Sequence, residues 1–228
     1  NSDVVGKGRA QIETSVDFAK ARQDGVRDRM WVTPTLIRVG VSDTIELRLE
    51  TDGFTHQITN DGGTRQSTHG FSDVAFGFKI HTQDGDEEHF IPSLGWIFHV
   101  DTDSGSPAFR GHGWRPSLRL VAEWELPNEY SIGMMPGVYQ EYNDERKAYA
   151  GGIMAVVLGK SFTDRFRGLL EIAGEELATP KNGGSVVTAN VGVAYLITQD
   201  VQIDCVARYG LSKPAPHQQY SLGLSIRF

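Results

Sequence analysis

One segment of the chain, residues 98–104, brings His99, Asp101 and Ser104 close together in sequence. A serine nucleophile with a histidine base needs these residue types, and Asp101, Asp103 and Ser104 carry oxygen atoms that suit a divalent cation. The chain contains no Gly-x-Ser-x-Gly elbow and no His-Glu-x-x-His pair, and the segment does not have the spacing of an EF-hand loop. We therefore expect a solvated loop here, with no catalytic group, no metal site and no cofactor.

A larger set of charged residues occupies alternate positions in apolar segments. Ten are acidic and seven basic, so opposite signs can pair between neighbouring strands. If the strands enclose an interior, two interpretations stay open: the charges line a passage that selects a solute, or they form salt bridges that fill the interior. The candidate lumen-lining residues are Glu13, Asp17, Arg38, Glu46, Arg48, Glu50, Asp73, Lys79, Arg119, Glu123, Glu125, Arg167, Glu171, Glu175, Asp204, Arg208 and Arg227.

These residues lie in segments whose polarity alternates with period two, the pattern of β-strands with two different faces. In residues 44–52, Ile45, Leu47 and Leu49 alternate with charged or polar residues, and segments 73–81, 117–126, 166–172, 201–211 and 220–228 do the same. No long window has helical periodicity. The sequence predicts an all-β protein.

Turn signals divide the chain into strands of about 10 to 12 residues, the length that crosses a bilayer when tilted. Short polar turns are predicted at 42–44, 83–88, 127–128, 163–164 and 199–200, and longer loops at 23–28, 60–70, 103–113, 143–147, 179–184 and 212–216. Short and long connections alternate, as they do between periplasmic turns and extracellular loops of outer-membrane barrels. We expect one antiparallel transmembrane β-barrel domain, residues 1–228, with twelve strands and both termini in the periplasm. A β-propeller, a soluble sandwich and a lipocalin-like barrel are the alternatives.

Aromatic residues decide which face of the alternation meets lipid. Membrane barrels carry an aromatic girdle at each interface, whereas soluble barrels have their apolar face inside. Six aromatic residues adjoin the predicted short turns or end the last strand, and Trp31 and Trp114 near longer loops supply part of an opposite girdle. The predicted girdle is Phe90, Trp124, Tyr130, Phe166, Tyr195 and Phe228.

Composition excludes several other classes. The net charge of -7 argues against nucleic acid as a partner, and the single Cys205 permits no internal disulfide. No run of about 20 apolar residues exists, so a transmembrane helix is not expected. The chain opens with Asn1-Ser2-Asp3 and no charged-then-apolar leader, which indicates a mature chain whose secretory signal peptide has been removed.

Blocks of sequence from end to end resemble the "MetA-pathway of phenol degradation" family of outer-membrane transporters of Gram-negative bacteria. They include Gly6-Lys7-Gly8-Arg9-Ala10, Leu158-Gly159-Lys160-Ser161-Phe162-Thr163-Asp164-Arg165, and segments 34–48, 70–79, 194–204 and 222–228. The resemblance implies transport of small molecules, with aromatic compounds suggested by the family name. The final Phe228, with Ile226, Leu224, Leu222 and Tyr220 on the same face, also resembles the C-terminal signal that barrel-assembly machinery recognises.

The predicted function is therefore an outer-membrane, porin-like channel or transporter for small molecules, with hydrophobic or aromatic compounds as the candidate solutes. Outer-membrane lipid, barrel-assembly machinery and the solute are the expected partners. Two other hypotheses stay open: a closed barrel that anchors a partner protein or lipid, and an outer-membrane lipid-modifying enzyme.

Overall fold

The computed structural model describes residues 1–23 and 25–228, which form one antiparallel sheet. One short 3-10 helix, Pro180–Asn182, interrupts an otherwise all-β chain. The strands of the described residues are β1 (Ala10–Gln23), β2 (Val26–Val32), β3 (Thr35–Gly40), β4 (Ile45–Thr51), β5 (Phe54–Asp61), β6 (Thr64–Phe71), β7 (Val74–Gln83), β8 (Ser93–Asp101), β9 (Arg115–Leu126), β10 (Tyr130–Tyr142), β11 (Ala148–Ser161), β12 (Phe166–Leu177), β13 (Val186–Leu196), β14 (Val201–Gly210) and β15 (Gln218–Arg227).

The sheet closes on itself because β15 pairs with β1, from Gln11 opposite Arg227 to Lys20 opposite Gln218. Three long barrel strands are each interrupted once, so β2 continues into β3, β4 into β5, and β6 into β7. The result is a closed barrel of twelve antiparallel strands, as predicted, which rules out the propeller and the sandwich. In the described residues no helix is long and apolar enough to cross a membrane.

The first two interruptions lie side by side and have local causes. Pro34 has no backbone N–H to give to the ladder, and Gly53 adopts a positive φ of 66°. The backbone N–H of Thr33 donates to the carbonyls of both Asp52 and Phe54, at 3.1 Å each. β2 and β5 therefore pair in a register one residue different from that of β3 and β4, which makes a β-bulge.

The two ends of the barrel differ. At the first end, called the terminal end, lie the start of β1, the end of β15 and the connections 41–44, 84–92, 127–129, 162–165 and 197–200. At the other, the loop end, lie Gly25 between β1 and β2 and the connections 62–63, 102–114, 143–147, 178–185 and 211–217.

Two predicted loops at the loop end are wrong. Gln23, residues 26–28 and residues 60–70 apart from Gly62 and Gly63 are strand, because β1 with β2 and β5 with β6 continue as long hairpins; Asp24 lies outside the described residues. Gly62 and Gly63, both at positive φ, make the β5–β6 turn in two residues. The polar and charged composition that suggested loops instead belongs to hairpins that extend past the other strands.

Burial is inverted relative to a soluble protein. Glu46, Lys79 and His99 are 0%, 1% and 2% exposed, whereas Phe76 and Leu222 are 58% and 64% exposed. A soluble protein rarely buries charged residues while it exposes large apolar ones. This distribution is therefore that of a barrel wall whose outer face is in contact with lipid.

Pro136 lies in the middle of β10, where a residue without a backbone N–H donor can force a bulge or a kink. The pairs Met134–Ala122 and Gly137–Arg119 keep one register on either side of it, so the strand passes through without a shift. Pro136 also stays in register with Met154 of β11. The missing proline donor interrupts only the ladder to β9.

Candidate functional site

The most buried charges form a network on the inner face of β3, β4 and β7. The Arg38 guanidinium donates two parallel hydrogen bonds to Glu46, from Nε to Oε1 and from Nη2 to Oε2, each 2.8 Å long. Arg48 Nη1 donates to the same Glu46 Oε1 at 2.8 Å, and Arg38 Nη1 donates to Glu13 at 3.0 Å. Such paired, charge-assisted contacts make a buried carboxylate tolerable.

His99 belongs to this network and not to a catalytic arrangement. Arg48 Nε donates to His99 Nε2 at 3.1 Å, so Nε2 is the acceptor and the ring proton lies on Nδ1, 3.1 Å from Glu50 Oε2. The Ser104 hydroxyl instead accepts from Thr102 and from the backbone of Val74. The 98–104 segment therefore assembles no nucleophile with its base. No cluster of three potential metal ligands occurs among the described residues.

Segment 1–5 enters the barrel from the terminal end. Ser2 is 1% exposed, and its backbone N–H and hydroxyl donate to Glu123 Oε2 at 2.6 and 2.9 Å. Lys79 Nζ donates to the carbonyls of Asn1 and Asp3, at 2.6 and 2.5 Å. Part of the charged interior thus holds a segment of the chain itself.

Two glycines make room for this segment. A Cβ on Gly95 would lie 2.6 Å from the carbonyl oxygen of Ser2, and one on Gly40 would lie 1.7 Å from that of Gly6. The Val5 N–H adds a 2.9 Å bond to Glu46 Oε2. Sequence reasoning missed the segment because it has no periodic pattern. The sequence signal that could have indicated it is the pair of glycines within strands, because a glycine there can mark a close approach of another backbone segment.

A second charge cluster lies at the loop end. The Asp73 carboxylate accepts from Arg115 Nη2 and from the backbone N–H groups of Gly105 and Gly111, each at 2.7 Å. Arg115 Nε lies 3.1 Å from Glu141 Oε2. The 102–114 loop is therefore tied to the barrel by one largely buried ion pair.

The other predicted lumen residues occupy the same face of the sheet by register. Arg208 lies 3.5 Å from Asp17, which also accepts from Ser221 at 2.6 Å, and Glu171 accepts from Asn190 at 2.6 Å. Arg119, Glu123 and Glu171 line the central cavity, Asp204 and Arg208 line one cavity together, and Glu175 lies near the loop end. Glu125, Arg167 and Arg227 lie near the terminal end.

The central cavity, about 280 Å³, has two unlike sides. The charged wall consists of Arg38, Arg48, Lys79, Arg119 and Glu123. The apolar wall, on β10 and β11, consists of Gly133, Met135, Ala155 and Val157, and Ile153 continues it toward the loop end.

Further cavities continue the central one toward both ends. One of about 230 Å³ near the loop end shares Arg119 and Met135 with it, and one of about 380 Å³ at the terminal end shares Asn1 and Arg38. Segment 1–5 lies between the central and the terminal cavities. The interior is thus a row of cavities, interrupted by the chain's own N-terminal segment.

The predicted aromatic residues lie on the outer wall beside the terminal-end turns. Phe166 pairs directly with Tyr195, Phe90 stacks on Trp124 with ring centroids 6.2 Å apart, and Tyr130 is 40% exposed. Phe228 follows the last strand and is 68% exposed. Phe162, which stacks on Phe166 at 5.6 Å, was not predicted.

At the loop end, the predicted Trp31 packs against Phe18 with ring centroids 4.9 Å apart. Trp114 is 68% exposed at the start of β9. Aromatic side chains therefore lie on the outer wall toward both ends of the barrel, the distribution found at two membrane interfaces.

Comparison with known proteins gives the same fold. The model of the family described as "MetA-pathway of phenol degradation" matches residues 1–228, so the chain belongs to that family. No curated protein matches it.

Solved structures with this architecture include an outer membrane channel from Pseudomonas putida, with a TM-score of 0.72 and 9% identity over 100% of this chain and 98% of that one. The transport unit of the autotransporter AIDA-I from Escherichia coli has a TM-score of 0.60 and 10% identity over 97% and 90%. The NanC porin has a TM-score of 0.56 and 8% identity over 95% and 98%. The chain therefore has the fold of outer-membrane β-barrels.

Proposed function

We propose that this protein is an outer-membrane channel for small molecules, with both termini and the terminal-end turns in the periplasm and the loop end outside. The observation that carries the proposal is the row of cavities through the barrel, in which a charged wall faces an apolar wall. The family's description and the channel and porin of the same fold support it. The orientation follows the usual asymmetry of short periplasmic and longer extracellular connections.

The walls suggest the class of solute. Arg119 lies where the central and loop-end cavities meet, and among the described residues no carboxylate lies within ion-pair distance of it. Met135 and Val157 offer apolar contact in the same space. A small compound with an aromatic ring and an anionic or polar substituent fits both walls, because each part then meets a surface of its own kind.

Segment 1–5 acts in this proposal as the gate. It is held by Lys79, Glu123 and Glu46 through hydrogen bonds to its backbone and to the Ser2 hydroxyl, and it closes the passage between the central and the terminal cavities. Displacing it opens the central cavity toward the periplasm.

The experiment compares the wild-type protein with the variant lacking residues 1–5, both in liposomes and in planar bilayers. We expect flux of small solutes in the wild type and a conductance about threefold or more higher in the truncated variant, because the segment lies between the central and the terminal cavities. Gly95→Ala, whose Cβ meets only Ser2 backbone and the end of Lys79, should raise conductance in the same direction. Gly159→Ala is the matched control, because its Cβ meets mainly the Ser131 side chain.

If neither the wild type nor the truncated variant passes ions or solutes, the channel proposal fails and the closed anchoring barrel replaces it. That alternative rests on the same occupied bore and on the dense charge pairing. The lipid-modifying enzyme has no support from the separated positions of His99 and Ser104.

The expected partners follow from the same proposal. Outer-membrane lipid covers the exposed apolar face, which includes Leu170, Ile172 and Leu222. β15, which Phe228 follows directly, is the strand offered to barrel-assembly machinery during insertion.

A further inference from the structure

A cluster of five basic side chains lies on the outer face of the barrel at the loop end. The register of β1 with β2 pairs Lys20 with Arg29 and Arg22 with Arg27. Arg27 lies opposite Asn60 of β5, which in turn lies opposite Arg65 of β6. All five residues are exposed, and among the described residues none has an ion pair with an acidic side chain. We call Lys20, Arg22, Arg27, Arg29 and Arg65 the basic patch.

The register also fixes which side of the wall the patch occupies. Lys20 and Arg22 alternate in phase with Val16 and Phe18, and Phe18 lies opposite Tyr220 of β15. Val16 is 58% exposed and Tyr220 41% exposed on the lipid-facing wall. The patch therefore continues the lipid-facing surface upward and does not face the passage.

The position of the patch relative to the loop-end aromatic residues matches a headgroup layer. Phe18 lies opposite Trp31, and Lys20 and Arg29 follow two residues farther toward the loop end, with Arg22 and Arg27 two residues beyond them. At about 3.3 Å per residue, these two rows lie about 7 and 13 Å past the aromatic pair along the strands. Aromatic side chains mark the edge of the hydrocarbon layer, and the headgroup region beyond it is several ångströms thick.

The patch includes a concave site. Arg27, Arg29 and Arg65 line a hollow of about 530 Å³ together with Ile58, Asn60 and the glycines of the neighbouring turns. Guanidinium groups bind phosphate through two parallel N–H donors, and the Asn60 amide adds a neutral donor. A concave arginine cluster next to the acyl layer, with no carboxylate among its described lining residues, suits a phosphate fixed to a lipid.

From this placement, we propose that the basic patch binds the phosphate groups of lipid headgroups in the leaflet at the loop end. Arg27, Arg29 and Arg65 hold a phosphate in the hollow, and Lys20 and Arg22 hold a second phosphate or a neighbouring headgroup. Trp31 and Phe18 contact the start of the acyl chains below. The site lies outside the barrel, so it is independent of the proposed transport.

The test measures lipid binding to the purified full-length chain in detergent by native mass spectrometry. The probes are diphosphorylated lipid A, the same lipid with its phosphates removed, and inorganic phosphate. The variant is Arg27→Gln/Arg29→Gln/Arg65→Gln. The control is Arg146→Gln/Lys147→Gln/Lys181→Gln, which removes the same charge from loops at the same end of the barrel. A difference in gel mobility between unheated and heated samples of each variant shows that its barrel is folded.

We expect the patch variant to bind diphosphorylated lipid at least about tenfold more weakly than the wild type, and the control variant to bind as the wild type does. Removing the phosphates from the lipid should weaken wild-type binding by a similar factor. Equal binding of phosphorylated and phosphate-free lipid, or unchanged binding by the folded patch variant, overturns the proposal. Displacement of the lipid by an equal concentration of inorganic phosphate also overturns it, because the site would then recognise a free anion. Absence of channel conductance leaves these outcomes unaffected.

Discussion

The charged wall and the apolar wall line the same cavity but are built in opposite ways. On the charged wall, Arg38 and Arg48 are fixed by hydrogen bonds to Glu46 beside them, and Lys79 and Glu123 by hydrogen bonds to segment 1–5. On the apolar wall, glycine, alanine and valine leave space and offer no polar group, as at Gly133, Ala155 and Val157. The first wall therefore maintains the shape of the bore, whereas the second supplies its free volume.

The largest loss of stability should follow from removing the Glu46 carboxylate, which Arg38 and Arg48 of the charged wall share. Glu46→Ala leaves Arg38, Arg48 and the Val5 N–H without their common acceptor. Breaking a buried pair in this way costs about 3–5 kcal/mol of unfolding free energy. Urea titration of the protein in lipid vesicles, followed by tryptophan fluorescence, measures it.

Glu87→Ala, in an exposed turn, is the matched loss of one carboxylate and should stay within about 0.5 kcal/mol. A Glu46→Ala variant as stable as Glu87→Ala would mean that the charged wall does not hold the barrel.

Substitutions at two adjacent residues of β11, a strand of the apolar wall, compare its outer and inner faces. Val156 faces outward and is 39% exposed, whereas Val157 lines the cavity. Val156→Arg should lose about 2–4 kcal/mol of stability because it puts a charge into the lipid layer near mid-membrane. Val157→Arg should lose no more than about 1 kcal/mol, because the new cation faces Glu171 across the β11–β12 ladder.

The same urea titration compares the two variants directly. Equal losses, or the reverse order, would show that the polarity of this strand has been assigned to the wrong faces.

Disrupting the second charge cluster, at the loop end, should lower the free energy of unfolding by a smaller amount. Asp73→Ala removes the acceptor of Arg115 and of two loop N–H groups, but the surrounding 102–114 loop is reached by water. We expect a loss of about 1–3 kcal/mol and faster trypsin cleavage after Arg110. Asp103→Ala, on an exposed residue of the same loop, is the control. If both variants are cleaved at the same rate, Asp73 does not anchor the loop.

The sequence alone predicts the charged wall but does not predict the apolar wall. Alternation in residues 44–52 separates two faces of different polarity, so Glu46 and Arg48 are assigned to one side without a structure. β11 reads Ala-Gly-Gly-Ile-Met-Ala-Val-Val-Leu through its centre, and both of its faces are apolar. No period-two signal then tells Val156 from Val157.

The position of segment 1–5 inside the barrel was also not predicted from the sequence. Its binding depends on contacts such as that of Ser2 with Glu123, which are 121 residues apart. Local patterns carry no information on such pairs. The loops predicted at 23–28 and 60–70 failed for a related reason: polar residues are compatible with strands that extend beyond the lipid.

The measurement that most directly tests passage between the two walls is solute flux through the variant that lacks residues 1–5, with and without Arg119→Gln. The solutes are 4-hydroxybenzenesulfonate, which has a ring and a fixed anion, and arabinose, which has neither. We predict that Arg119→Gln lowers arylsulfonate flux about fivefold or more, because a single cation in a low-dielectric passage concentrates anions. Arabinose flux should change less than about twofold, since a neutral sugar is not concentrated by that cation. Equal changes for the two solutes, or no change for either, would contradict passage of the solute between the charged and the apolar wall.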